Sequence, residues 1–167
     1  IGIAGLVFVV ALIGTQQAIT VYSAKKVNVV STLFFISLLA GVVTAIAVFF
    51  ISNKIDISLL LIAYVVNDMS LGYIIGRKLF ANYSKYILTQ RTLTLVLGFG
   101  FYFIFGVEGI IFALVLSYSH FLILIYKGLK DSQVNFSALK IHSGFIINNY
   151  VSSVVGGFRA NIDKIIV

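Results

Sequence analysis

The sequence predicts an all-α fold, a polytopic transmembrane bundle of about six helices. Three observations predict it. The 167 residues are 60% hydrophobic and only 10% charged, with a mean hydropathy of +1.11, against roughly 25% charged residues in an average soluble domain. The apolar residues fall into runs of about 20, the length an α-helix needs to cross a hydrocarbon core of about 30 Å. The basic residues gather in alternate turns between those runs, as cytoplasmic loops do.

Taken in order, the first helix covers about residues 1–22, with Gly2, Gly5 and Gly14 as small contact positions and Gln16 and Gln17 in its second half. Lys25 and Lys26 close it. The second covers about 30–52, has no charge inside and carries Gly41 near its middle. A short polar turn, 52–56, leads to the third helix, about 57–75, with Asn67 and Asp68 near mid-span, closed by Gly76, Arg77 and Lys78. Residues 79–86 are amphipathic and tyrosine-bearing, as suits a headgroup boundary. The fourth helix is expected at about 87–105, with Gln90 and Arg91 in its first turns. Residues 106–109 leave room only for a tight antiparallel corner. The fifth helix, about 110–126, carries Ser117, Ser119 and His120. Residues 127–143 are the longest polar stretch, within which Phe136, Leu139 and Ile141 predict a short surface helix. The sixth helix covers 144–167.

Orientation follows from the basic residues. Lys25, Lys26, Arg77, Lys78, Lys85, Arg91, Lys127, Lys130 and Lys140 share one side, and Lys54 alone opposes them before the sixth helix. The nine-residue side is cytoplasmic by the positive-inside rule, which also explains the net charge of +7 without nucleic acid. With no proline, any kink must arise from glycine, serine or packing. With no cysteine there is neither disulfide nor thiolate metal site. The chain begins inside one apolar run and stops inside another, so it is expected to be an internal piece of a longer protein.

The sixth helix carries the most chemistry. Asn149, Ser152, Gly156, Arg159 and Asp163 step by three and four, which puts them on one helical face. If the helix enters the bilayer near Phe145, Arg159 lies roughly 20 Å in, at 1.5 Å per residue. A cation there costs at least ~2.5 kcal/mol unless it faces protein or water. The helix is therefore expected to line a wet, protein-walled space. Arg159 and Asp163 are four apart, so they can simply neutralise each other. Alternatively, the guanidinium recognises phosphate oxygens through paired hydrogen bonds, while Asn149, Ser152 and Asn161 meet hydroxyl-rich groups. The ordinary role of such asparagines and serines is interhelical bonding, worth only ~0.6 kcal/mol on average.

Asp68 near the bilayer centre has two readings. One is a carboxylate paired with Arg77 or Lys78 through local water, or held protonated. The other is a proton or sodium coupling site or cavity wall. Gln16 and Gln17 read as helix contacts, and His120 as a hydrogen-bonded packing residue. The sequence contains no HExxH, phosphate-cradling glycine loop, DxD pair or nucleophile–base–acid set, so it reads as non-enzymatic and without a cofactor.

Three stretches carry a resemblance. They are YSKYILTQRTLTLVLGFGFYFIFGVEGIIFALVLSYSHFLILIY (83–126), GFIINNYVSSVVGGFRANIDKIIV (144–167) with its closing Asp163-Lys164 and aliphatic run, and more loosely YIIGRKLFANY (73–83). Their order resembles the polysaccharide biosynthesis proteins, the oligosaccharide-lipid flippases of the multidrug/oligosaccharidyl-lipid/polysaccharide exporter superfamily. Such proteins have two six-helix lobes around a central cavity. The resemblance implies that 1–126 holds five helices of the first lobe, 127–143 the cytoplasmic inter-lobe linker, and 144–167 the first helix of the second lobe. It departs from the family in cations: the cavities are often rich in them, and this chain offers mainly Arg159.

The function implied is translocation of lipid-linked oligosaccharide or polysaccharide precursors across the cytoplasmic membrane by alternating access. The partners would be the bilayer and a polyprenyl-linked glycan, with Arg159, Asn149, Ser152, Asn161 and Asp163 on the substrate face and Asp68 a possible coupling residue. The alternatives are a cation-coupled multidrug exporter of the same superfamily, a membrane-embedded glycan polymerase or ligase, which needs a large outward loop, and a purely structural membrane subunit.

Overall fold

The computed structural model describes residues 15–161, with side chains through residue 156. Among them the chain is helical, with no strand. The order is α1 (Thr15–Lys25), α2 (Val30–Ser52), α3 (Ile55–Gly76), α4 (Phe80–Phe105), α5 (Val107–Tyr118), a 3-10 turn (Ser119–Phe121), α6 (Leu122–Leu129), α7 (Phe136–Ile141) and α8 (Ser143–Asn161). Four segments among the described residues are long and apolar enough to cross a membrane: α2, α3, α4 and the continuous Val107–Leu129. That is fewer than the six the sequence predicts. Most of the first predicted span lies outside the described residues, and α1 covers only its end. The sixth is helical in α8, but its asparagines, serines and glycines leave it less apolar than the four.

Several boundaries move. The 79–86 stretch is not a separate surface segment: α4 begins at Phe80 and runs for 26 residues. Arg91 therefore stands near the middle of a helix rather than in its first turns. The corner expected over 106–109 shrinks to Gly106, the single residue between α4 and α5. Its φ of 66 and ψ of −145 suit glycine alone. Three residues on, a Cβ at Gly109 would collide with the Phe101 carbonyl, so glycine there lets the two helices fold straight back on each other. The predicted surface helix exists as α7, capped by the Asn135 side chain, which accepts from the Ala138 N–H at 3.1 Å. At the far end of α2, Asn53 takes the left-handed conformation (φ 51) and its N–H reaches the Phe49 carbonyl at 2.8 Å.

The bundle is organised around α3. It packs against α1, α2, α4, α5 and α6, burying Leu61, Val65, Met69 and Ile74. Its contact with α1 is glycine-mediated. A Cβ at Gly72 would sit 2.7 Å from the Gln16 carbonyl oxygen, and one at Gly76 would overlap the Thr20 carbonyl and lie 2.7 Å from Ser23 Cβ. Gly72 and Gly76 form a G-x-x-x-G face, the spacing that lets two membrane helices touch through their backbones. Gly2, Gly5 and Gly14, the contact positions expected on the first helix, lie outside the described residues. Gly41 of α2 does meet α3, where its Cβ would lie 3.2 Å from Val65. On the other flank, Phe34 of α2 is fully buried, edge-on to Tyr73 at 5.8 Å and pressed against Gly128, where a Cβ would come 2.5 Å from the ring.

Candidate functional site

Polar side chains concentrate at two levels of this bundle. The first is the end that carries the basic residues. Ser31 and Thr32, in the first turn of α2, receive the chain leaving α6. Ser31 Oγ donates to the Gly128 carbonyl at 2.9 Å, satisfying one of the carbonyls a helix end leaves open, and accepts from the Ser132 N–H at 2.8 Å. Thr32 Oγ1 accepts from the Asn135 N–H at 2.8 Å. At the end of α3, Arg77 forms an ion pair with Asp131, and the Tyr73 hydroxyl donates to the same carboxylate at 3.1 Å. The guanidinium carbon also lies 5.5 Å from the Tyr73 ring centre. The linker is thus tied to both α2 and α3. This corrects one reading of Asp68: Arg77 pairs with Asp131 and not with Asp68.

The second level lies about halfway along α3, α4 and the continuous Val107–Leu129 segment. The rings of Tyr64 and Tyr118 meet edge-on at 5.7 Å, and Tyr118 lies within electrostatic reach of Asp68 and Arg91. Gln90 Nε2 donates to Thr94 Oγ1 at 3.0 Å, and Thr94 Oγ1 meets Ser117 Oγ at 2.9 Å across the α4–α5 contact. His120 is a packing residue, as its sequence context predicts. Its two ring nitrogens face the carbonyls of Ser117 and Tyr86 at 2.7 and 3.2 Å, and its ring lies against Phe121 at 4.1 Å. Asp68, two tyrosines, Gln90 and Arg91 therefore gather at one level of an otherwise apolar bundle.

The predicted substrate face on α8 is described only in part. The start of α8 is fixed on α1, where the Tyr22 ring lies 4.9 Å from His142 and 5.6 Å from Phe145. Asn149 is half-buried, and its amide nitrogen is enclosed without a hydrogen-bond partner among the described residues. Ser152 is exposed, and nothing lies within 4 Å of a Cβ at Gly156. Arg159 and Asn161 fall in the last turns of α8, with their side chains outside the described residues; Asp163 lies wholly outside them. Asn149 and Asp68 belong to different levels and different helices, so the described residues form no single site from the predicted set.

Sequence reasoning misses three features. Arg91 was assigned to the cytoplasmic boundary because residues 79–86 look amphipathic, although nothing in them breaks a helix. The G-x-x-x-G of Gly72 and Gly76 was legible and overlooked. Tyr64 and Tyr118 gave no signal of their own, since tyrosines occur throughout the chain.

Comparison with known protein families, with characterised proteins and with solved structures gives no match. What the fold defines is a helical protein with four segments, among the described residues, able to span a membrane.

Proposed function

We propose that this chain is part of a membrane transporter that moves a lipid-linked oligosaccharide precursor across the cytoplasmic membrane by alternating access. The observation supporting it is the polar layer at half-height, where Asp68, Tyr64, Gln90, Arg91, Thr94, Ser117 and Tyr118 gather in an apolar bundle. Ionisable side chains at membrane depth are costly, and they mark pathways for polar solutes more often than they serve packing. On this reading the polar face of α8 borders the same pathway. Arg159 would contact the pyrophosphate or an acidic sugar, Asn149, Ser152 and Asn161 the sugar hydroxyls, and Asp163 would balance Arg159. The polyprenyl tail stays in lipid while two lobes rock about the cavity.

The second reading is cation-coupled export of small amphipathic molecules. Asp68 favours it, being a carboxylate near two tyrosines in the middle of the bundle. The two readings separate in proteoliposomes. With a lipid-linked oligosaccharide as substrate, Arg159→Ala abolishes flipping under the first reading. Unchanged flipping at normal expression removes Arg159 from the mechanism. Under the second reading Asp68→Asn abolishes proton- or sodium-driven efflux of a cationic dye, and lipid-linked sugar is not moved at all.

A further inference from the structure

Two parallel helices, α1 and α3, end side by side at the basic face, because Gly76 packs on Thr20 and Ser23. Both end in the same way. The Val27 N–H reaches back to the Tyr22 carbonyl at 3.0 Å, and the Leu79 N–H to the Ile74 carbonyl at 3.0 Å. This six-to-one bond marks the turn that normally places glycine in the left-handed position at a helix end. Here both positions hold lysine, Lys26 at φ 54 and Lys78 at φ 58. A side chain with a Cβ is disfavoured in that conformation, so a lysine kept there twice, on adjacent helices, calls for a reason beyond the turn.

Charge supplies the reason. Of the five acidic residues, Asp56 and Glu108 lie in the first turns of α3 and α5 at the opposite end, Asp68 lies at mid-depth, Asp131 is held by Arg77, and Asp163 is outside the described residues. Lys25, Lys26 and Lys78 are all exposed, and no ion pair among the described residues reaches them. Beside Lys78, exposed Ile75, Leu79 and Phe80 offer apolar surface. Cations at the headgroup level with apolar side chains next to them match a phosphate carrying acyl chains.

We propose that the lysine-capped ends of α1 and α3 form a binding site for an anionic phospholipid of the cytoplasmic leaflet. Lys26 and Lys78 hold the headgroup phosphate, Lys25 adds to the field, and Ile75, Leu79 and Phe80 meet the chains. The inference does not depend on what the protein transports.

The test is thermal unfolding of the purified full chain in neutral detergent, titrated with phosphatidylglycerol or phosphatidylcholine. Phosphatidylglycerol should raise the melting temperature and phosphatidylcholine should not. Lys26→Gly with Lys78→Gly relieves the left-handed backbone, so the double variant should melt no lower than the parent without lipid. Its half-saturating phosphatidylglycerol concentration should rise about 25-fold, at about fivefold per lysine. A control, Lys127→Gln with Lys140→Gln, should shift it far less. Equal shifts in both variants mean general surface charge and overturn the site. An unchanged response in the glycine variant also overturns it, and so does a matching stabilisation by inorganic pyrophosphate, which would make the ligand a soluble anion. In the unaltered protein, phosphatidylglycerol should shield Lys26 and Lys78 from an amine-acylating reagent more than Lys127 and Lys140. Equal shielding overturns the proposal without any substitution.

Discussion

Helices α3 and α4 are neighbours of similar length, 22 and 26 residues, and of similar apolarity, yet 56% of the apolar window of α3 is buried inside the protein and only 6% of that of α4. The difference is in the small residues. α3 carries Ser58, Ala63, Ser70, Gly72 and Gly76, all buried, and α1 closes directly onto Gly72 and Gly76. α4 presents Leu88, Leu95, Val96, Phe99 and Phe103 outward, and its Gly98 and Gly100 have nothing within 4 Å of a built Cβ. In lipid no hydrophobic force draws helices together, because the chains around them are equally apolar, so close backbone approach decides which surfaces meet. Apolarity sets which segments can cross a membrane. Residue size sets which of them pack.

The sharpest way to break this contrast is to place the same side chain on both helices. Gly76→Val should drive a branched side chain into the Thr20 carbonyl and lower stability by about 1–3 kcal/mol or prevent folding. Gly98→Val on α4, with open space around it, should change stability by no more than about 0.5 kcal/mol. Thermal unfolding of both variants in the same detergent reads the difference. Equal losses would mean that the G-x-x-x-G face does not set the α1–α3 contact.

A second, smaller effect concerns how α3 holds the linker and α4 does not. Arg77 and Asp131 are partly exposed, with side-chain accessibilities of 29% and 17%, so their pairing should contribute about 1 kcal/mol, well below a fully buried ion pair. A double-mutant cycle of Arg77→Met and Asp131→Asn should return a coupling of about that size. A coupling near zero would leave the linker tethered by Ser31, Thr32 and the Tyr73 hydroxyl. The smallest effect is expected where α4 does touch protein. Thr94→Val removes the hydroxyl bridge to Ser117 and should cost roughly 0.6 kcal/mol, the usual worth of a hydrogen bond between membrane helices.

How far the sequence could be read follows the same contrast. The four apolar segments were legible because length and hydropathy fix them, and so was α7, from three apolar residues in a polar stretch. The start of α4 was misplaced because an amphipathic, tyrosine-bearing stretch looks the same whether it lies on the surface or continues a helix. Pairing across helices was not legible. Arg77 had Asp68 nearby in sequence, and the partner it takes, Asp131, comes near only because α6 returns beside α3. The layer around Tyr118 was equally hidden, since three separate helices contribute to it. On α8 the spacing of Asn149, Ser152 and Gly156 was plain, whereas what that face borders depends on contacts the spacing does not contain.

That last point is where the proposed function stands or falls, and the absence of cysteine allows a direct measurement. Single cysteines at Asn149, Ser152 and Gly156, and at Ile147 and Val154 on the opposite side of α8, can be exposed to a membrane-impermeant maleimide in intact membranes. If the polar face borders an aqueous path, the first three positions label rapidly, the two apolar positions stay protected, and a lipid-linked oligosaccharide slows the labelling. Uniform protection of all five, or equal labelling of both faces, would contradict a polar path along α8 and with it the transport reading.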